Sequence, residues 1–229
     1  MKVVVAVFPG TNCEIDTKYA FEKIGCDVEL LFHKNNQLPK NTDLIVLPGG
    51  FSYGDYLRSA AIAKFSPIMT PVIEFANKGG MVLGICNGFQ MLLEMKLLPG
   101  AMKRNQNTHF ISKYQYLKVI SNNNKFLSKT EVGDILNIPI AHGEGNFFIK
   151  DDKIKELYDN EQVLLEYCDK NGDEENPNGS VSQIACLCNR EKNVFGLMPH
   201  PERAIEDLLG SNDGVKMLEG FLNNSYSAN

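Results

Sequence analysis

The feature that most constrains the fold is a glycine-flanked cysteine that directly follows an apolar segment. Residues 82–90 read Val-Leu-Gly-Ile-Cys-Asn-Gly-Phe-Gln, with glycine two positions before Cys86 and two positions after it. This is the cysteine form of the G-x-S-x-G nucleophile elbow, a strained turn between a strand and a helix. The pattern predicts that Cys86 lies at a helix N-terminus, where the thiolate is favoured. An inert core cysteine could share the same pattern.

Apolar segments alternate with helical segments along the N-terminal half. Residues 3–8 form a nearly continuous apolar run, which is typical of a strand covered on both faces in a parallel sheet. Thr11 and Glu14 fit a capping box, which predicts a helix with Thr11 as its N-cap. Further strands are expected at 28–32 and 43–47, before the strand that leads to Cys86.

In the C-terminal half, alternating patterns at 163–167 and 181–188 indicate antiparallel strands. The sequence therefore predicts an α/β fold: a doubly wound, mostly parallel sheet with helices on both faces, plus some antiparallel strands in the C-terminal half. Such sheets bind ligands at the carboxyl ends of their strands. Because no linker or internal repeat divides the chain, residues 1–229 are predicted to form a single domain.

Charge and composition argue against several classes of partner. The net charge of −5 argues against nucleic acid or an anionic membrane surface. No apolar run approaches the roughly 20 residues that a membrane-spanning helix needs. The six cysteines form no C-x-x-C pair and no zinc-type spacing with histidine, so we expect no metal site. Reduced thiols in a cytoplasmic protein are the expectation.

A glycine-rich loop follows the third predicted strand, at Gly49 and Gly50. Glycines at a strand end expose backbone N–H groups, from which oxyanion holes are built. In elbow enzymes one donor is the residue after the nucleophile, and the other comes from an earlier strand–helix loop. We therefore expect the N–H groups of Asn87 and of Gly50 or its neighbour to be oxyanion donors. A plain tight turn would use the same glycines.

A histidine and a glutamate near the C-terminus supply a candidate base. Residues 198–203 read Met-Pro-His-Pro-Glu-Arg. A cysteine nucleophile needs a base, and a third group sets the tautomer of that base. The prolines favour an extended chain, in which residues i and i+2 face the same side. We predict that Glu202 orients His200 towards Cys86, the alternative being a surface turn.

The other histidines give weaker signals. His33 ends a strand and is predicted to be solvated, and His109 lies in a loop with no evident partner. His142, in a His-Gly-Glu-Gly segment at a strand end, could serve a site or an interface.

These motifs resemble the class I (triad) glutamine amidotransferases. The elbow at 84–90 and the Pro-His-Pro-Glu segment at 199–202 carry the resemblance. The resemblance covers nearly the whole chain, with the motifs in the same order. It indicates a smaller group of proteins than the elbow alone does. Five further segments look like the small glutaminase subunits of phosphoribosylformylglycinamidine synthase: 8–13, 49–58, 141–145, 176–180 and 198–203.

The resemblance implies that glutamine is hydrolysed to glutamate and ammonia in purine biosynthesis. The ammonia would pass to a large synthetase subunit that converts formylglycinamide ribonucleotide to the amidine, with a small third subunit bridging the two. ATP and Mg²⁺ would be used by the synthetase. No cofactor is expected on this chain, which also lacks a G-x-x-x-x-G-K-[ST] motif.

The resemblance also implies a role for each site residue. Cys86 would be the nucleophile, and His200 and Glu202 would complete the triad. The implied oxyanion donors are Gly50 and Asn87, and the implied glutamine-binding residues are Gly49, Gly50, Phe51 and Gln90.

The chain departs from the family pattern between 105 and 116 and at 146. The family usually has arginine, cysteine, tryptophan and arginine where this chain has His109, Ser112, Tyr114 and Asn146. The resemblance therefore gives no glutamine contact in 104–116.

The residues alone are compatible with two other functions. One is a free-standing cysteine hydrolase or peptidase with the same elbow, and the other is a catalytically silent α/β interaction module. The segment 53–58 and the acidic loop 169–176 are the candidate docking surfaces.

Overall fold

The computed structural model describes residues 1–222, and the end of the predicted domain 1–229 lies outside them. The strands are β1 (Lys2–Val7), β2 (Asp27–Phe32), β3 (Leu44–Leu47), β4 (Met81–Ile85), β5 (Ala101–Lys103), β6 (Ile111–Val119), β7 (Ile135–His142), β8 (Asn146–Phe148), β9 (Val163–Cys168), β10 (Ile184–Cys188) and β11 (Val194–Leu197). The α-helices are α1 (Glu14–Lys23), α2 (Met69–Asn77), α3 (Asn87–Glu94), α4 (Asp151–Asp159) and α5 (Asp213–Glu219).

The main sheet has the strand order β2-β1-β3-β4-β11-β10-β9-β6-β7. Strands β2, β1, β3, β4 and β11 are parallel to one another. From β10 to β7 each neighbour is antiparallel, and β5 pairs separately with β8. The predicted fold class, with antiparallel strands in the C-terminal half, is confirmed. In the part of the chain that the structure describes, no helix is both long and apolar enough to cross a membrane.

The parallel strands place the candidate site. The central strand β3 is buried along its whole length, as expected for a strand covered on both faces. Helix α3 packs against β3, β4 and β11. The carboxyl ends of these parallel strands meet at one edge of the sheet, where α/β folds bind ligands.

The first helix begins later than the predicted capping box. Helix α1 begins at Glu14, and Cys13 occupies its N-cap without a side-chain capping bond. The Thr11 hydroxyl instead accepts a hydrogen bond from the Phe8 N–H at 3.1 Å. The capping-box prediction was wrong because Thr11 closes the loop after β1. This loop places Cys13 beside the end of β3, where its N–H donates to the Gly49 carbonyl at 3.4 Å.

Candidate active site

Cys86 lies at the turn between β4 and α3. Its backbone has φ 50° and ψ −105°, a conformation that residues with a side chain rarely adopt. The turn is held from behind, because the Cys86 N–H donates to the Leu197 carbonyl at 2.7 Å. The sulfur lies 3.6 Å from the Ala141 carbonyl oxygen, and the residue is 6% exposed. The cysteine is therefore fixed in a strained conformation at the floor of a cleft.

The two glycines around Cys86 are required by close packing. A Cβ at Gly88 would lie 1.8 Å from the Leu47 carbonyl oxygen, and a Cβ at Gly84 would lie 2.7 Å from the Gly88 carbonyl carbon. Both distances are shorter than a Cβ atom can tolerate, so strand, turn and helix pack closely only with glycine at these positions.

His200 and Glu202 form a buried pair after β11. His200 Nδ1 lies 2.7 Å from Glu202 Oε1, and the two side chains are 2% and 0% exposed. The His200 N–H donates to the Pro139 carbonyl at 2.8 Å. Glu202 lies in a short 3₁₀ turn, Pro201–Arg203. The contact therefore arises from a tight turn. The prediction that the chain is extended here was wrong.

The charge state of His200 is set by its neighbours. Burial lowers the pKa of His200, but the negative charges of Glu202 and Cys86 outweigh burial and raise the pKa well above its ordinary value. Because Nδ1 faces Glu202, the ring is held in one orientation. Within residues 1–222, Nε2 has no hydrogen-bond partner. This nitrogen is the one left to exchange a proton at the cleft.

The end of β3 forms the adjoining wall. A Cβ at Gly49 would lie 2.8 Å from His200 Cε1 and 3.4 Å from Cys86 Cβ, so this glycine admits both side chains. Gly50 has φ +135°. The Phe51 N–H is already used, because it donates to the Gly10 carbonyl at 3.0 Å. Gly50 is therefore the better candidate for the oxyanion donor that the sequence placed at Gly50 or its neighbour.

The side chain of Asn87 connects the elbow to the glycine-rich loop. Its Oδ1 accepts a hydrogen bond from the Ser52 N–H at 3.1 Å. Its Nδ2 lies 2.8 Å from Gln90 Oε1 and 3.3 Å from Asp55 Oδ1. Sequence analysis used only the backbone of Asn87. The structure gives its side chain a second role, which is to fix the loop relative to the nucleophile.

A cavity of about 260 Å³ opens beside Cys86. Gly50, Phe51 and Gln90 line it, whereas Gly49 lies outside its lining. The Gln90 side chain is already bonded, because its Nε2 also donates to the Glu144 carbonyl at 2.7 Å. Gln90 therefore shapes the wall of the cavity.

Charged residues at this cavity were missed by the sequence analysis. Arg104 and Glu144 both line it, and Arg104 Nε lies 3.9 Å from Glu144 Oε1. Asp55 lines it as well, and burial raises the pKa of that carboxyl. These groups could bind the carboxylate and ammonium of an amino acid. The charged residue within His-Gly-Glu-Gly was the available signal for Glu144.

His142 lies in a buried network that supports the cavity wall. Its Nδ1 lies 3.1 Å from Asn105 Oδ1, and its Nε2 lies 3.4 Å from Asn178 Nδ2. Burial lowers the pKa of His142 to about 4, so the ring is neutral near pH 7. Asn105 Oδ1 also accepts the Gly145 N–H at 3.0 Å. The network holds the turn that carries Glu144.

The prediction that His33 is solvated was wrong. His33 is 8% exposed, and its Nδ1 lies 2.8 Å from the Tyr53 hydroxyl. The same hydroxyl lies 2.7 Å from Ser66 Oγ. These contacts hold the base of the loop that the sequence analysis assigned to docking.

Comparison with known proteins shows to which family this sequence belongs. The family model for the CobB/CobQ-like glutamine amidotransferase domain matches residues 1–217. The phosphoribosylformylglycinamidine synthase subunit PurQ of Sulfurimonas denitrificans is 63% identical over 222 residues, which cover 97% of this chain and 99% of that protein. The corresponding PurQ subunit of Wolinella succinogenes is 59% identical over 221 residues, covering 96% and 99%.

A solved structure extends the comparison to three dimensions. A chain of the PurLQS structure from Thermotoga maritima is 40% identical, with a TM-score of 0.88 and 97% of each chain covered. The resemblance drawn from the motifs is confirmed by these similarities. The chain belongs to the CobB/CobQ-like glutamine amidotransferase family and, within it, to the group of phosphoribosylformylglycinamidine synthase PurQ subunits.

Proposed function

We propose that this chain is the glutaminase subunit of phosphoribosylformylglycinamidine synthase in purine biosynthesis. It hydrolyses the side-chain amide of glutamine and releases glutamate and ammonia. The observation that carries the proposal is the buried His200–Glu202 pair beside a strained elbow cysteine, at 2.7 Å between Nδ1 and Oε1. Nucleophile, base and orienting carboxylate are the parts that acyl transfer through a covalent intermediate requires.

Cys86 is the proposed nucleophile. Its thiolate attacks the amide carbon of glutamine, and the N–H groups of Gly50 and Asn87 stabilise the oxyanion of the tetrahedral intermediate. His200 donates a proton to the departing ammonia, which leaves a γ-glutamyl thioester on the sulfur. The same histidine then takes a proton from water, which attacks the thioester and releases glutamate.

The cavity fits an amino-acid substrate by its charges. Glutamine enters with its side-chain amide towards Cys86 and its α-carboxylate and α-ammonium at the mouth. Arg104, which is mostly exposed, pairs with the carboxylate. Glu144, which also lines the cavity and lies 3.9 Å from Arg104, pairs with the ammonium. Gly49, Gly50, Phe51 and Gln90 form the wall against which the side chain lies.

The ammonia passes to a large synthetase subunit, which uses ATP and Mg²⁺, and a small third subunit bridges the two chains. This chain itself needs no cofactor for the steps above. Residues 1–229 act as one glutamine amidotransferase domain in the cytoplasm. The exposed side chains of Tyr56 and Leu57 are the proposed contact with the synthetase, and the loop 169–176 is a second candidate.

The test is covalent labelling with the glutamine analogue 6-diazo-5-oxonorleucine, followed by peptide mass spectrometry in the presence of the synthetase partner. A single adduct on Cys86, prevented by excess glutamine and absent from Cys86→Ala, is the expected result. An adduct on another cysteine, or none with the partner present, would contradict the proposal.

A further inference from the structure

Cys13 is a buried thiol that the proposed reaction does not use. It is 2% exposed and lies at the start of α1, next to the end of β3. A Cβ at Gly49 would lie 3.1 Å from Cys13 Sγ and 2.8 Å from His200 Cε1. The second sulfur therefore lies close to the imidazole that serves Cys86, within 4.8 Å of one of its ring nitrogens.

Cys13, His200 and Glu202 form a cluster of possible metal ligands. Each offers one ligand atom, and these atoms all lie within 4.8 Å of one another. Glu202 Oε2 is buried and has no hydrogen-bond partner among residues 1–222. A buried carboxylate oxygen is normally satisfied, so an unpartnered one requires an explanation. A cation bound in the cluster would supply the partner that this oxygen lacks.

The charges around the cluster suit a divalent cation. Burial raises the pKa of the Cys13 thiol, so metal binding has to displace its proton; the resulting thiolate and the Glu202 carboxylate together balance two positive charges. The nearby cation is Arg203, whose Nη2 donates to Cys13 Sγ at 3.1 Å. Its charge is offset by Asp16, because Arg203 Nε donates to Asp16 Oδ2 at 3.0 Å. The site is therefore close to neutral when the metal is bound.

We propose that Cys13, His200 and Glu202 bind a thiolate-preferring divalent cation such as Zn²⁺, and that the bound ion inhibits the glutaminase. The inhibitory part rests on the proposed function. Zinc takes cysteine sulfur at about 2.3 Å and histidine nitrogen or carboxylate oxygen at about 2.0–2.2 Å, in a tetrahedral arrangement. Ligand atoms around it are then roughly 3.5 Å apart, so small side-chain rotations close the cluster. Water or the Cys86 sulfur completes the coordination.

The inhibition follows from the side chains that the ion would share with the proposed reaction. His200 and Glu202 each offer a ligand atom to the cluster, and the same two side chains form the 2.7 Å pair that serves Cys86. A bound ion therefore separates the histidine from its orienting carboxylate and blocks its use by Cys86. Spacing rules could not reveal this site, because its ligands come from opposite ends of the chain.

Binding is tested with Co²⁺, whose absorption reports thiolate ligation. In Cys86→Ala, Co²⁺ should give a thiolate-to-metal charge-transfer band, and Zn²⁺ should abolish it by competition. In Cys13→Ala the band should be lost. A band that persists in Cys13→Ala and disappears in Cys86→Ala would overturn the proposal, as would the absence of a band in the unmodified protein. Since Cys86→Ala is tested for binding alone, this result is independent of the proposed function.

Two further variants keep the test interpretable. Cys13→Ser preserves the size of the side chain if Cys13→Ala does not fold, and Cys26→Ala is the matched control because Cys26 is also buried but lies after α1. Glu202→Gln removes one ligand. Added to Cys86→Ala, it should weaken Co²⁺ binding by at least about tenfold relative to Cys86→Ala alone. In the complex with the synthetase, Zn²⁺ should inhibit glutamine hydrolysis, and Cys13→Ser should need about tenfold more Zn²⁺ for the same fractional inhibition. Equal sensitivity of Cys13→Ser and Cys26→Ala would contradict the proposal.

Discussion

The back wall of the cleft and its front loop are built in different ways. The back wall, defined by Cys86, Gly88, His200 and Glu202, is buried, and its shape is set by close packing of backbone and side chains. The front loop, residues 51–60, exposes Tyr56 and Leu57 at 75% and 88%. It also contains four residues other than glycine with positive φ, namely Tyr53, Asp55, Leu57 and Ala60.

This difference separates two tasks. Core packing holds the nucleophile and its base in place, and it does so within this chain alone. The front loop, which follows Gly50 and forms part of the cavity wall, is held by hydrogen bonds, chiefly those to the side chain of Asn87. Strained loops with exposed apolar residues are elements whose position a partner can set. We expect the back wall to be independent of the synthetase and the front loop to respond to it.

The largest effect is expected at the back wall from Glu202→Gln. The amide keeps the size of the carboxylate but removes the charge that raises the pKa of His200. By analogy with a triad whose acid is replaced by its amide, the rate of glutamine hydrolysis should fall by about 10⁴-fold. Because proton donation to ammonia needs the imidazolium, the alkaline limb of the pH–rate profile should move to lower pH. An unchanged limb would show that Glu202 does not control His200.

Gly88→Ala tests the packing of the back wall. The new Cβ would lie 1.8 Å from the Leu47 carbonyl oxygen, so the elbow must shift. Overpacking of this kind should lower the free energy of unfolding by about 3 kcal/mol or more, measured by urea denaturation. Gly143→Ala is the matched control, since Gly143 also lacks a positive φ and a Cβ there would make only an ordinary contact, 3.7 Å from Phe110 Cδ2. Equal losses in the two variants would mean that the elbow contact does not dominate.

Asn87→Ala tests the connection between the two regions. It leaves the backbone N–H in place but removes the acceptor of the Ser52 N–H and the partner of Gln90. Misplacement of the oxyanion donors should lower kcat in the complex by about 10²-fold, with a smaller change in KM. A change confined to KM would assign Asn87 to substrate binding.

The smallest effect on stability is expected at the tip of the front loop. Tyr56→Ser combined with Leu57→Ser should change the free energy of unfolding by no more than about 0.5 kcal/mol, because both side chains are exposed. Stimulation of glutaminase by the synthetase should nevertheless fall strongly. Normal stimulation in this variant would place the docking surface elsewhere, with the loop 169–176 as the next candidate.

The back wall could be predicted from the sequence to a large extent. Apolar runs, the spacing of Gly84 and Gly88 around Cys86, and the His-Pro-Glu segment are local patterns, and each acts through a short stretch of chain. The route to the His200–Glu202 contact was predicted wrongly, because a 3₁₀ turn replaces the extended chain. The pair was still identified, since two residues of separation permit the contact in both conformations.

Contacts between distant segments could not be predicted in the same way. The hydrogen bond between the Asn87 side chain and Ser52, the contact of His33 with Tyr53 and the approach of Cys13 to His200 each join segments that are distant in sequence. No period or spacing in the sequence encodes such contacts. Arg104 and Glu144 also come from distant segments and meet at the cavity lining, although each was visible as a charged residue near a glycine or polar segment.

The most direct test of the account compares two nitrogen donors in the complex reconstituted with the synthetase and its bridging subunit. Cys86→Ala should lose glutamine-dependent synthesis of the amidine by at least about 10⁴-fold. Synthesis from added ammonium chloride should remain at the level of the unmodified complex, and Cys168→Ala should support both reactions. Loss of both reactions in Cys86→Ala, or survival of the glutamine-dependent one, would contradict the claim that this chain supplies ammonia through Cys86.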